Sequence, residues 1–270
     1  MARYGAIEAG GTKFLVAVGE DPLRLEQVTR IETSQDPAET MAAVIDYFRR
    51  AGPLAALGVA TFGPVDFATG RITTTPKLSW RNYPLREVLE RELGVRVGFD
   101  TDVNGAALAE ARCGAGRGVE DLVYFTVGTG IGGGAITGGR LVHGLMHSEM
   151  GHLLVRRAPE ELAEFSGVCP YHGDCLEGMA SGPAIEARWG HRAEALDAHH
   201  PAWRLEADYL AQACVNVACV LSPRVVVLGG GVMEQAHLLE MIRARAAGYA
   251  NGYFPLPRSE RPALEHPGLS

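Results

Sequence analysis

The stretch Val123-Tyr124-Phe125-Thr126-Val127-Gly128-Thr129-Gly130-Ile131-Gly132-Gly133-Gly134-Ala135-Ile136-Thr137 decides the fold. Its first five residues are apolar, aromatic or β-branched and read as a strand. Gly128, Gly130 and Gly133 then match the spacing G-x-G-x-x-G of dinucleotide-binding turns. That fingerprint requires a helix directly after the glycines. Here Gly134-Ala135-Ile136-Thr137-Gly138-Gly139-Arg140 reads instead as a returning strand and a second hairpin turn. The dinucleotide reading fails on this point, and no G-x-x-x-x-G-K-[ST] loop occurs elsewhere.

A strand, a glycine turn and a strand occur once more, at the amino end: Tyr4–Ala9, Gly10-Gly11 and Phe14–Val18. The two copies form a soft internal repeat. Between them Asp36-Pro37-Ala38-Glu39 carries the marks of a helix start, and Met41, Val44, Ile45 and Phe48 follow at helical spacing. A strand is expected over Leu57–Ala60, a helix over Leu85–Leu93 and a strand over Arg96–Phe99. Asp100-Thr101-Asp102 then opens a helix through Ala109. After the second copy, Leu205, Tyr209, Leu210, Cys214, Val217 and Leu221 line one helix face that Pro223 ends. Val225–Leu228 reads as a strand, and Gly229-Gly230-Gly231 leads into a helix expected near Met233. The fold class is α/β.

Composition narrows the function classes. The chain has 270 residues, 47% hydrophobic and 21% charged, enough for one large domain or two modest lobes. A formal net charge of −7 argues against nucleic acid as the partner, since phosphate backbones call for a basic face. The amino terminus has no leader pattern and no stretch is apolar enough to cross a membrane, so the expected location is the cytoplasm. Cys113, Cys214 and Cys219 stand among apolar or small residues and read as buried small hydrophobes.

Two glycine tips suit the phosphates of one nucleotide. A side chain there would hold the backbone N–H groups away from the phosphate oxygens. Thr12 and Thr129 add hydroxyl donors and Lys13 a positive charge. Either tip alone would be only a hairpin turn.

Ile7-Glu8-Ala9-Gly10-Gly11-Thr12-Lys13, Asp102-Val103-Asn104-Gly105, Gly128-Thr129-Gly130 and Glu149-Met150-Gly151-His152 resemble the motifs of the ROK family of sugar kinases and repressors. Cys169-Pro170-Tyr171-His172-Gly173-Asp174-Cys175-Leu176-Glu177-Gly178 resembles its fructokinase branch. The resemblance implies a two-lobed actin-like (ribonuclease H-like) ATPase fold, with lobes over 1–115 and 116–270 and an inserted zinc-binding loop at about 152–178. It implies ATP with Mg²⁺ and a free hexose as substrates, most simply fructose phosphorylated at its 6-hydroxyl, and a homodimer. The first phosphate turn falls on Gly10, Gly11, Thr12 and Lys13, and the second on Gly128, Thr129 and Gly130. Gly229, Gly230 and Gly231 match the loop near the adenosine. Asp102 matches the catalytic base, and Asn104, Glu149, His152 and Glu177 match sugar-contacting positions.

These roles make chemical sense. A sugar hydroxyl is a poor nucleophile until a carboxylate takes its proton. Asp102 stands where a strand ends and a helix begins, so the helix N-terminus favours its charged form. Asp100 is a rival carboxylate two residues away, and helix N-capping is the plain structural role for Asp102 itself. Glu149 and Glu177 can each accept from two neighbouring hydroxyls. His152, Cys169, His172 and Cys175 offer two thiolates and two imidazoles for a structural Zn²⁺. A Cys169–Cys175 disulfide is the competing reading, which a reducing compartment disfavours.

The sequence departs from the family in three places. Glu8 stands where many members carry Asp, and His172 where many carry Cys; both fit the fructokinase branch. Members also continue past a Pro-x-Leu-Gly pattern into a Gly-Ala-rich final helix, whereas here Pro262-Ala263-Leu264 is followed by Glu265–Ser270, so that helix is expected to be absent. Its absence would favour a sugar-binding sensor without turnover, an alternative that Asp102 and both phosphate turns oppose. Glucose, mannose or an N-acylhexosamine are the alternative substrates. Only nine residues precede Gly10, too few for the DNA-binding module of the repressor branch.

Overall fold

A computed structural model describes residues 2–75 and 77–270; Met1 and Pro76 lie outside the described residues. The strands are β1 (Tyr4–Ala9), β2 (Lys13–Asp21), β3 (Arg24–Glu32), β4 (Ala56–Thr61), β5 (Val65–Asp66), β6 (Arg71–Ile72), β7 (Val97–Thr101), β8 (Leu122–Val127), β9 (Ile131–Thr137), β10 (Arg140–Leu141), β11 (Val225–Gly229) and β12 (Arg258–Glu260). The helices are α1 (Pro37–Ala51), α2 (Leu85–Leu93), α3 (Asp102–Cys113), α4 (Leu176–Ala180), α5 (Gly182–Trp189), α6 (Ala202–Leu221) and α7 (Leu238–Ala250).

The chain divides into two units. The first holds the residues up to Gly114 together with His143–His147 and Leu264–Ser270; the second holds Ala115–Val142 and Ser148–Ala263. A single cut at residue 115 therefore misses two segments that belong with the first unit. His143 joins it through Asp100, while Leu264 donates its N–H to Glu110 at 3.0 Å and Leu269 is buried. Residues 264–270 carry no helix.

In the first unit the sheet order is β3-β2-β1-β4-β7, antiparallel from β3 to β1 and parallel from β1 to β7. Helix α1 forms as expected: Asp36 caps it by accepting from Ala38 N–H, and its apolar stripe packs Met41, Val44 and Phe48 into the core. Phe14, Trp80, Leu85 and Leu89 complete that core, each worth roughly 1.5–3 kcal/mol by burial. Strand β3 was not expected. It lies at the sheet edge, its residues are almost all exposed, and Arg24, Glu26, Arg30 and Glu32 leave no apolar alternation to read. The register sets Glu8, Ala60 and Asp100 side by side near the carboxyl ends of β1, β4 and β7.

In the second unit the order is β10-β9-β8-β11-β12, with the same sequence of antiparallel and parallel pairings. Val123, Phe125, Val127, Val226 and Leu228 share one core with α6, whose expected face is buried together with the rest of the helix from Leu205 to Cys214. Ser222 ends α6 in the left-handed conformation, just before Pro223. The helix expected near Met233 begins later. Gly231–Glu234 is a 3-10 turn, and Arg261 donates to the carbonyls of Met233 and Gln235, so those acceptors are satisfied outside a helix. Among the described residues no helix is long and apolar enough to cross a membrane.

Candidate active site

The first unit carries one phosphate-type turn. Gly10 N–H donates to the Lys13 carbonyl at 2.8 Å, and a Cβ on Gly10 would lie 2.8 Å from that oxygen. Thr33 takes the carbonyls of Gly10 and Thr12, through its hydroxyl at 2.8 Å and its N–H at 3.0 Å. Lys77 Nζ donates to the carbonyls of Gly11 and Thr33. The carbonyls are thus turned inward, while Gly11 and Thr12 are exposed. Lys77 was missed by sequence reading because a single lysine after three threonines carries no pattern. Glu8, beside the turn, is half-buried; burial raises its carboxyl, and the charges of Lys13 and His266 oppose that shift.

Asp102 is the first residue of α3, and the cap is Thr101, whose Oγ1 accepts from Asn104 N–H at 3.2 Å. The plain capping role is therefore filled by the neighbouring residue. Asp102 Oδ1 accepts from Val103 N–H at 2.9 Å, and the side chain is half-buried. The rival carboxylate is fully occupied: Asp100 Oδ1 accepts from Thr101 N–H at 2.8 Å and Asn104 Nδ2 at 2.7 Å, and Oδ2 meets His143 Nε2 at 2.9 Å. Asn104 is 1% exposed, and its Oδ1 has no hydrogen-bond partner. Its amide nitrogen thus braces Asp100, while the oxygen has no partner within the protein. His143 had been overlooked, since a lone histidine gives no spacing signal.

The second unit carries the other turn. Gly128 N–H donates to the Gly130 carbonyl at 2.9 Å, and the Gly128 carbonyl accepts from Gly182 N–H at 2.7 Å. The triple glycine packs directly on β8. Gly230 has φ of 93°, and a Cβ there would collide with the Val127 backbone. A Cβ on Gly229 would lie 2.5 Å from the Tyr124 hydroxyl. Gly231, Gly128 and Thr129 line a cavity of about 400 Å³ whose wall continues through Gly182, Pro183 and Arg192. The last three were not anticipated from the sequence.

Ile131, the first residue of β9, gathers the remaining motifs. Its N–H donates to Glu177 Oε2 at 2.9 Å, and that same oxygen lies 2.6 Å from where a Gly130 Cβ would be. Its carbonyl presses on Gly151, where any side chain would collide. The Glu149-Met150-Gly151-His152 turn thereby seats on β9, with Met150 buried against Gly133 and Glu149 exposed. Glu177 stands closer to the glycine turn than a sugar-only role requires.

His152, Cys169, His172 and Cys175 place one ligand atom each within 4.8 Å of one another. Cys175 Sγ is 3.4 Å from His152 Nδ1, and Cys169 Sγ is 3.8 and 3.7 Å from His152 Nδ1 and His172 Nδ1. Tetrahedral zinc with bonds of about 2.3 Å to sulfur and 2.05 Å to nitrogen separates S from N by about 3.6 Å, so the donor set fits. Both cysteines are free thiols, which removes the disulfide reading. Burial, opposed by backbone hydrogen bonds and reinforced by Cys169, pushes the Cys175 thiol up to about 11. Two thiolates would be stable here only against a cation. The knuckle itself closes through paired Cys169 and Gly173 backbone bonds, with Gly173 at φ 60°.

Comparisons with known proteins bear on the family and the fold. The chain is 41% identical over 261 residues to a fructokinase of Lactococcus lactis subsp. cremoris, covering 95% of this chain and 88% of that one. It is 42% identical over 266 residues to a fructokinase of Zymomonas mobilis subsp. mobilis, covering 93% and 87%. The crystal structure of a ROK hexokinase from Thermus thermophilus superposes with a TM-score of 0.83 at 30% identity, over 99% of this chain and 95% of that one. The repeated five-stranded sheet is thus the actin-like frame of those kinases. With the pattern of the ROK family matching residues 4–266, the chain belongs to the ROK family.

Proposed function

We infer that the protein is an ATP-dependent fructokinase, transferring the γ-phosphoryl group of ATP to the 6-hydroxyl of D-fructose. The observation that supports the mechanism is the position of Asp102, first residue of α3 at the end of β7, while three groups hold Asp100 beside it. Asp102 takes the proton of the 6-hydroxyl as that oxygen bonds to the γ-phosphorus. The bond from phosphorus to the β,γ-bridging oxygen breaks, ADP leaves, and the proton stays on Asp102 until solvent removes it. Such base catalysis supplies about 10²–10⁴-fold. The remainder comes from positioning and charge stabilisation.

The N–H groups of Gly11, Thr12, Thr129 and Gly130 are our candidates for the phosphate contacts, with Lys13 adding charge. The cavity beside Gly231 is our candidate for the adenosine, with Gly229 and Gly230 shaping its floor. Mg²⁺ bound with ATP would neutralise phosphate charge, with Glu8 our candidate for holding it through water. Glu149, His152 and Glu177 are the proposed sugar contacts, with Asn104 bracing Asp100. Zinc on His152, Cys169, His172 and Cys175 would be structural, fixing the His152 ring through Nδ1 and leaving Nε2 for a hydroxyl. We place the protein in the cytoplasm as a homodimer, the first supported by its free thiols.

The test is turnover with Mg-ATP against fructose, mannose, glucose and N-acetylmannosamine, beside Asp102→Asn. Fructose turnover that falls at least 100-fold in the variant, with fructose binding retained, is the expected result. Turnover on another sugar alone would overturn the substrate, and an active variant would overturn the base.

A further inference from the structure

His143 lies outside every motif used above, yet it is held in one orientation. Its Nε2 meets Asp100 Oδ2 at 2.9 Å, and the Asn104 amide nitrogen lies 3.3 Å from the same ring nitrogen. A lone pair on Nε2 would oppose the carboxylate, so Nε2 is the nitrogen that donates to Asp100, and Nδ1 is the one turned away from it. Phe67 packs against the ring with centroids 4.4 Å apart, closing one face. The His143 side chain is nevertheless 38% exposed, against 18% for Asp100. The carboxylate is inside, and the free edge of the imidazole is outside. His147, four residues on, accepts from Val65 N–H at 3.3 Å and lies against Gly63, so the segment is pinned at both ends to the first unit.

We propose that His143 is a specificity-determining residue of the sugar site: its Nδ1 accepts a hydrogen bond from a hydroxyl of the hexose, and Asp100 is the positioning residue that sets the ring. This rests on the fructokinase reading and deepens it. The placement follows from the strand end. Asp100 stands two residues before the base Asp102 and shares its carboxylate with Asn104, the third residue of α3. A hexose delivering one hydroxyl to Asp102 has further hydroxyls to satisfy at that same strand end. A ring nitrogen held by a carboxylate is a better acceptor than a mobile one. A carboxylate in that place would be held less firmly and would add a third negative charge beside Asp100 and Asp102.

The experiment compares His143→Gln and His143→Ala with the whole protein, by steady-state kinetics and by direct calorimetric titration of fructose without ATP. Glutamine keeps a donor for Asp100, and its one acceptor, Oε1, sits on the same carbon as that donor and away from the Nδ1 position, so a purely structural histidine would be rescued by it. Both variants should raise the KM for fructose about tenfold, the loss of one well-made hydrogen bond, while the KM for ATP stays unchanged. One monodeoxyfructose should be bound equally by the protein and by His143→Gln. A glutamine variant with the original fructose KM and affinity would overturn the proposal, leaving the fructokinase reading intact. If the unaltered protein neither bound nor phosphorylated fructose, both would fall.

Discussion

The two units are built on one frame and have diverged in how they use it. Each has five strands in the same order and the same pattern of pairings, and each turns from its central strand to the next through glycines. In the first unit the third strand has nine residues and leads within a few residues to α1; the proposed base, Asp102, stands at the end of β7 beside Asp100. In the second unit the corresponding strand β10 has two residues, and the long path from there to α6 carries the Glu149 turn, the His/Cys knuckle and α4–α5. One unit gains function at a strand end with little insertion. The other gains it by insertion, and inserted chain without strands needs fasteners. The Glu161–Arg188 pair, whose side chains are at most 1% exposed, is one fastener, and the proposed zinc would be the other.

The largest expected effect breaks this symmetry directly. Stripping the proposed zinc with a chelator should loosen the insertion and leave the first unit alone. Hydrogen exchange should show residues 152–178 losing at least about 10³-fold in protection, equivalent to roughly 4 kcal/mol, while β7 and α3 stay protected. Metal analysis of the same sample checks that zinc was present and then removed. Unchanged protection in metal-free protein would mean that the knuckle holds itself.

The two glycine turns offer a sharper comparison. A Cβ on Gly11 or on Gly128 meets no atom within 4 Å, whereas one on Gly10 meets the Lys13 carbonyl and one on Gly130 meets Glu177, at 2.8 and 2.6 Å. Gly11→Ala and Gly128→Ala should therefore keep the melting temperature within about 1 °C, a shift of a few tenths of a kcal/mol. Each should raise the KM for ATP about tenfold, because the new methyl group occupies space that phosphate needs. Equal effects from both turns would support a shared phosphate role. A normal KM in either variant would assign that turn to hairpin geometry alone.

What the sequence disclosed follows the same division. The buried elements of both sheets were legible because apolar residues recur at helical spacing, as in α1, or run unbroken, as in β8. The edge strand β3 was not, since Arg24, Glu26 and Arg30 hide its pairing behind a polar pattern. Cys169, His172 and Cys175 stood out by their close spacing, and Asp102 through the family resemblance. His143 and Lys77 were not, because their partners Asp100, Gly11 and Thr33 lie 43, 66 and 44 residues away. Only the folded chain brings them together. The two segments that return to the first unit, His143–His147 and Leu264–Ser270, were hidden for the same reason.

A comparison of stability alone concerns two buried glutamates on helices of the two units. Glu110 on α3 is wholly buried and accepts the Leu264 N–H, so its carboxylate is served. Glu206 on α6 is 1% exposed, and neither of its oxygens has a hydrogen-bond partner. Arg188, the nearest charge opposing its shift, is already committed to Glu161, which also accepts from Tyr209. Burial therefore raises the Glu206 carboxyl well above its ordinary 4.5. The folded protein keeps this proton at pH values where the unfolded chain has lost it. By linkage, stability is full below about 4.5 and falls as pH rises toward the folded value, by about 1.4 kcal/mol per pH unit in that window. Glu206→Gln cannot lose a proton, so its melting temperature should decline less between pH 5 and 8 than that of the unaltered protein. Parallel melting curves across that range would mean that Glu206 is ionised in the fold, with Arg188 serving two carboxylates at once.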